Sequence, residues 1–201
     1  EAQCPAKLVD DALKAFGGLD AVVSNAGITS PASLIDLSVS KWDKLLNVNT
    51  RATLLLAQAA YPALKESKGA LVAVASMSGM GAHPGMGAYS PSKAALISLC
   101  QVLAQEWACD GINVNTVSPG MIRTPLTQKV YENNQIAKER AALVPWGRVG
   151  NPEDISNVIS FLLSPEANYI TGQNILVDGG FVDSLYRHIP GLPDSSEIDK
   201  T

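Results

Sequence analysis

Hydrophobic positions recur along the chain with two different periods, and their alternation sets the expected architecture. Over 8–16, Leu8, Val9, Ala12, Leu13 and Phe16 have helical spacing, and Gly17 and Gly18 end the pattern. Residues 19–24 are a short apolar run stopped by the turn formers Asn25 and Gly27, which reads as a buried strand. Ser40, with Asp43 at the reciprocal position of a capping box, predicts a helix over 41–65 that bends near Asn47 and Asn49. The unbroken apolar run over 70–75 suits a strand in a sheet covered on both faces. After a glycine-rich loop, Leu96, Leu99, Cys100, Leu103 and Trp107 form one stripe of a long helix over 89–109. Gly111 closes that helix as a left-handed cap, and a strand follows over 112–117.

The stretch 121–150 is less regular, with one helix predicted over 128–143. Asn151, Pro152, Glu153 and Asp154 then combine a cap, a first-turn proline and two acids at the positive end of a helix dipole. The last strand is expected over 174–177, and the chain turns polar beyond Phe181. This predicts one α/β unit over 1–180 and a tail over 181–201, disordered rather than a structured arm. Strands joined by helical crossovers imply a parallel, Rossmann-like sheet with right-handed connections and helices on both faces.

Composition narrows the function. With 201 residues and 46% hydrophobic content the chain can bury one substantial core. A net charge of −4 with scattered lysines and arginines offers no basic stripe, so nucleic acid is not an expected partner. No apolar run reaches the ~18 residues of a membrane span, and 1–7 are neither basic nor apolar enough for a secretory signal. The three cysteines have neither metal-ligand spacing nor an even count, so no metal site is expected and a reducing, cytoplasmic setting is.

Tyr89 and Lys93, four apart, emerge on one face at the start of a helix. A phenol titrates near ~10; an ammonium one turn away stabilises the phenolate and would bring the pair into range for proton exchange with an alcohol or ketone. Such a pair also arises by chance, and its context is what matters. Ser76 lies at the carboxyl end of the second strand, where ligands of open parallel sheets collect. Asn25-Ala26-Gly27 ends the first strand and Ser118-Pro119-Gly120 the third, with Asn49 in the helix after the first. Each has a plain reading as well: Ser76 as a strand end, Asn49 as a bend residue, Thr124 before Pro125 as turn chemistry. His83 is expected at solvent or a pocket wall rather than in catalysis, and Trp146 in packing. No Gly-x-Ser-x-Gly elbow supports a serine hydrolase.

Taken in order, these segments resemble the short-chain dehydrogenase/reductase family. Ser24-Asn25-Ala26-Gly27 is similar to its Asn-Asn-Ala-Gly motif, with serine for the first asparagine. Asn49 in Asn-Val-Asn-Thr falls where the family has its catalytic asparagine. Ser76 stands at the family's spacing before Tyr89, and Tyr89-Ser90-Pro91-Ser92-Lys93 matches Tyr-x-x-x-Lys. Residues 118–124 resemble the segment that wraps the nicotinamide, and Val177-Asp178-Gly179-Gly180 the motif that ends the core.

The resemblance implies hydride transfer between NAD or NADP and a secondary alcohol or ketone, with Tyr89 as general acid/base. Lys93 would lower the Tyr89 pKa and hold the nicotinamide ribose, Ser76 would bond the reacting oxygen, and Asn49 would order a water for proton return. Pro119, Gly120, the Ile122 backbone and the Thr124 hydroxyl would grip the nicotinamide, with Asn25, Ala26 and Gly27 on the adenosine side. A homodimer or homotetramer is implied through the long helices and last strand. The family's opening strand and glycine-rich, pyrophosphate-binding turn do not precede Leu19. The expected shortfall is three strands and two helices, roughly 60 residues, which leaves the first strand as a bare apolar edge and the choice between NAD and NADP unreadable. Gly81, Gly85 and Gly87 share the fingerprint's spacing but open no βαβ unit, and read as a substrate-side loop. Met77, Met80, Met86, Met121, Leu126 and Trp146 suggest an adaptable pocket for an apolar skeleton. An inactive, shortened relative acting as an interaction partner is the alternative function.

Overall fold

A computed structural model describes residues 4–191. The main elements run α1 (Cys4–Phe16), β1 (Ala21–Ser24), α2 (Val39–Leu46), α3 (Ala52–Ser67), β2 (Ala70–Val74), α4 (Tyr89–Trp107), β3 (Asn113–Pro119), α5 (Gln128–Tyr131), α6 (Asn134–Leu143), α7 (Pro152–Leu162) and β4 (Asn174–Val177). The four strands form one parallel sheet in sequence order, β1-β2-β3-β4. Every crossover carries a helix, as parallel pairing demands, and the α/β expectation is met.

Alternation along the strands divides the core. Leu71 and Ala73 of β2 and Val114 of β3 pack with Ala57, Leu64, Leu96, Cys100 and Leu103 from α3 and α4. Val72 and Val117 face the other way, against Ile155 and Leu162 of α7. The α4 stripe from Leu96 to Trp107 is therefore consumed by the core, and is not the free oligomer face its pattern also allowed. At the other end of the sheet order β1 pairs only with β2 among the described residues, and Val23 is 43% exposed along that edge.

Local differences from the pattern have physical causes. The cap of α2 is Ser38, whose Oγ accepts from Lys41 N–H, so neither Ser40 nor an Asp43 capping box starts the helix. The bend expected near Asn47 and Asn49 is a π-turn over Asn47–Arg51 between α2 and α3. The single helix expected over 128–143 is two, because the Asn133 side chain leaves the helical path to cap α6 through Gln135 and Ile136 N–H. Asp154 accepts from Asn151 N–H at 2.7 Å and starts α7 as expected. Beyond Phe181 a 3-10 turn spans Leu185–His188, and the rest of the expected tail, 192–201, lies outside the described residues.

Candidate active site

All the strands point their carboxyl ends to one edge, and the candidate residues collect there. The π-turn adds a residue to one helical turn and so rotates Asn49 inward, to 1% exposure. Its amide clamps the loop after β1, accepting from Ile28 N–H at 2.8 Å and donating to Ile28 C=O at 3.0 Å. It also donates to Ser92 Oγ at 2.9 Å, and Ser92 Oγ donates to Tyr89 C=O at 2.7 Å. The Asn49 side chain is thus spent on joining the β1 loop to the first turn of α4. Ser92, hidden inside the Tyr-x-x-x-Lys run, is the partner that spacing arguments passed over.

Ser76 ends the extended segment after β2 and is 8% exposed. Its Oγ accepts from Ser78 N–H at 3.1 Å, which leaves its own proton free to donate. Lys93 is 4% exposed and its Nζ donates to Val74 C=O at 2.8 Å. That ammonium sits 5.9 Å from the centre of the Tyr89 ring. Burial pushes Lys93 down to about 8, and burial raises the Tyr89 phenol above its ordinary value, with hydrogen bonding from Ser76 working against the rise. The expectation that Lys93 lowers the Tyr89 pKa is therefore not met in the chain by itself. Desolvation governs the phenol, and the Lys93 ammonium is engaged by the Val74 carbonyl.

On the far side of the cleft, Gly120 lies so close to β4 that an added Cβ would stand 2.4 Å from Asp178 Cβ. Gly120 N–H donates to Val177 C=O. Asp178 in turn caps the turn after β4, accepting from Gly180 and Val182 N–H. Ile122 pairs in a parallel bridge with Gly150, and Thr127 Oγ1 bonds Ile122 C=O at 2.7 Å and receives Thr124 N–H at 2.9 Å. Thr127 thus organises the segment, although no motif or spacing distinguishes it.

These residues border a cleft of about 320 Å³ that includes Asn25, Gly27, Ser76, Tyr89, Lys93 and Thr124. Met77, Met86, Met121 and Leu126 form its apolar wall. His83 lies on that wall, its Nδ1 2.9 Å from Ser78 Oγ, in line with the expected wall position. Trp146 is not packed: it is 74% exposed and borders a neighbouring depression with Met121 and Ile122. Met80, also expected in the wall, is 52% exposed and is held near Asn174 Nδ2. Tyr131 and Arg140, which the sequence did not single out, complete the cleft.

A parallel sheet thus gathers a tyrosine, a lysine one turn on and a serine at one carboxyl edge. Residues 2–182 match the family model described as enoyl-(acyl carrier protein) reductase. The chain belongs to the short-chain dehydrogenase/reductase family, whose members use NAD or NADP and act on small molecules. It is 39% identical over 178 residues to the 3-oxoacyl-[acyl-carrier-protein] reductase FabG of Thermotoga maritima, covering 88% of this chain and 71% of that one. It is 40% identical over 161 residues to (3R)-3-hydroxyacyl-CoA dehydrogenase of Mus musculus, covering 79% and 61%. A short-chain type dehydrogenase/reductase from Mycobacterium marinum superposes with a TM-score of 0.81 at 32% identity, over 90% of this chain and 72% of that one. The chain thus spans less than three quarters of each. No helix among the described residues is long and apolar enough to cross a membrane.

Proposed function

We propose that this site interconverts a secondary alcohol and a ketone on an apolar skeleton, with NAD or NADP as the hydride carrier. The carrying observation is the convergence of Ser76, Tyr89 and Lys93 in one cleft, with Ser76 and Lys93 buried and held by Ser78 N–H and Val74 C=O and Tyr89 half-buried between them and the cleft. A nicotinamide fits the residues present. Gly27 carries no side chain, and a Cβ there would stand 3.4 Å from Lys93 Nζ and 3.5 Å from Asn49 Oδ1, so the loop after β1 lies directly against both residues. Lys93, Ile122 and Thr124 would hold the ribose and carboxamide, with Pro119 and Gly120 beside them and Asn25 and Ala26 toward the adenosine. When bound, the group supplies or accepts the hydride at the substrate carbon.

The chain's own residues supply the proton and the electrostatics. Ser76 donates its free hydroxyl proton to the reacting oxygen. Tyr89, kept protonated by burial, gives its proton to that oxygen in reduction and recovers one from the alcohol in oxidation. Lys93 brings positive charge to the phenolate left behind, an interaction worth more in a buried cleft than in water. Asn49 keeps the β1 loop and the start of α4 in register, so its contribution is positional. Apolar side chains at the surface, among them Val102 and Phe161, support a homo-oligomer.

The test is loss of reduced-nicotinamide absorbance with a series of apolar ketones, in the parent and in Tyr89→Phe. Turnover should fall by about 10²-fold or more in the variant. A phosphorylated sugar turning over faster than every apolar ketone would overturn the substrate class.

A further inference from the structure

The cleft contains a polar group that the proposed chemistry does not use. Tyr131 is 7% exposed, borders the cleft, and its hydroxyl is buried without a hydrogen-bond partner among the described residues. A buried phenol that gives up water and gains nothing destabilises the fold, so such a group calls for a reason. Its surroundings supply one. Arg123 and Arg140 both lie against the Tyr131 ring, their guanidinium carbons 5.4 Å and 5.6 Å from its centre.

Neither guanidinium forms an ion pair among the described residues. Arg140 borders the cleft and also an adjoining apolar depression with Leu143 and Phe181. The charged groups facing the cleft are Lys93 and Arg140, and no aspartate or glutamate lines it. A donor without an acceptor, beside an uncompensated cation and with no carboxylate in the lining, suits an anion on the substrate.

Resting on the oxidoreductase reading above, we infer that the substrate is a keto acid or hydroxy acid. Its reacting carbon lies at Tyr89 and its carboxylate is received by the Tyr131 hydroxyl and the Arg140 guanidinium. One hydroxyl and one guanidinium match the two oxygens of a carboxylate. Met77, Met86, Met121 and Leu126, which line the same cleft, take the apolar part of the chain. Tyr131 and Arg140 are then specificity residues that touch substrate away from the bond that changes.

The test uses matched probes, the methyl-ketone acids from 4-oxopentanoate to 7-oxooctanoate and their methyl esters. Their binding to the 201-residue protein is measured by ligand-observed NMR, so that turnover is not the readout. At least one acid should bind about tenfold or more tightly than its ester. Tyr131→Phe and Arg140→Gln should each remove most of that preference while leaving ester affinity within about twofold. Tyr131→Phe only deletes an unpartnered hydroxyl, so its melting temperature should be unchanged or higher, which separates a specificity effect from misfolding. Equal affinity for acid and ester, or a preference that survives both substitutions, overturns the carboxylate assignment and leaves the ketone reading standing. If neither probe binds and no ketone is reduced, the oxidoreductase reading fails, and this inference fails with it.

Discussion

Lys93 is the residue whose environment makes the sharpest statement about pH. Folding buries its amine and pushes its pKa from 10.5 down to about 8, so between those values the unfolded chain holds more protons than the folded one. Stability contributed through this group therefore rises as pH climbs from about 8 to 10.5 and is lowest below 8. Tyr89 and Cys100 shift upward and act in the opposite sense at higher pH, so the comparison must be a difference between proteins. Denaturant titrations of the parent and Lys93→Met should show the parent gaining roughly 3 kcal/mol relative to the variant across that window. A flat difference would mean that the amine is solvated in the folded chain. Single residues also mark the limit of what could be read in advance. Tyr89, Lys93 and Ser76 were legible because their spacing is tied to a helix turn and a strand end. The balance between burial and charge at Tyr89 was not legible, since spacing alone does not report desolvation. Tyr131 was invisible for the same reason: nothing in its neighbours' identities says that its hydroxyl lacks a partner.

At the scale of elements, two short features hold the site's shape. The π-turn between α2 and α3 aims Asn49 at Ile28 and Ser92, and removing that amide strands two backbone groups of the β1 loop. Asn49→Ala should cost about 2–4 kcal/mol in denaturant unfolding, because buried polar groups lose partners and not merely contacts. Between β3 and β4, Gly120 permits an approach that any side chain would forbid. Gly120→Ala should destabilise the protein by about 1–3 kcal/mol or more, and should loosen the segment carrying Ile122 and Thr124. Hydrogen exchange at Val177 and Gly120 would report the second effect; unchanged exchange would place the strain elsewhere. Strands and long helices were legible from periodicity because each buries a whole face. The α2 cap and the break at Asn133 were not, since several serines and asparagines compete for a cap and only geometry chooses.

For the whole molecule, a parallel sheet between α1, α3 and α4 on one side and α7 on the other leaves its cysteines unequal. Cys4 and Cys109 are exposed while Cys100 is buried in the core, its thiol pushed up to about 12. Thiol titration of the native protein should count two fast groups, with the third reacting only on unfolding. Three fast groups would show that the α4 core is open. The parallel sheet and its helical crossovers were legible from alternating helix and strand signals; the cleft's second polar end was not, because Tyr131 of α5 and Arg140 of α6 reach it only through tertiary packing. Hydride transfer to a carbonyl carbon whose oxygen takes its proton from Tyr89 can be read directly from isotope. The measurement is the transfer of deuterium from C4-deuterated nicotinamide carriers, the mononucleotide and both dinucleotides, to the carbonyl carbon of a bound ketone, followed by mass spectrometry. Label is expected on that carbon with the parent and none above background with Tyr89→Phe. Label that is absent from the parent with every carrier, or equal in the two proteins, would contradict the proposed transfer.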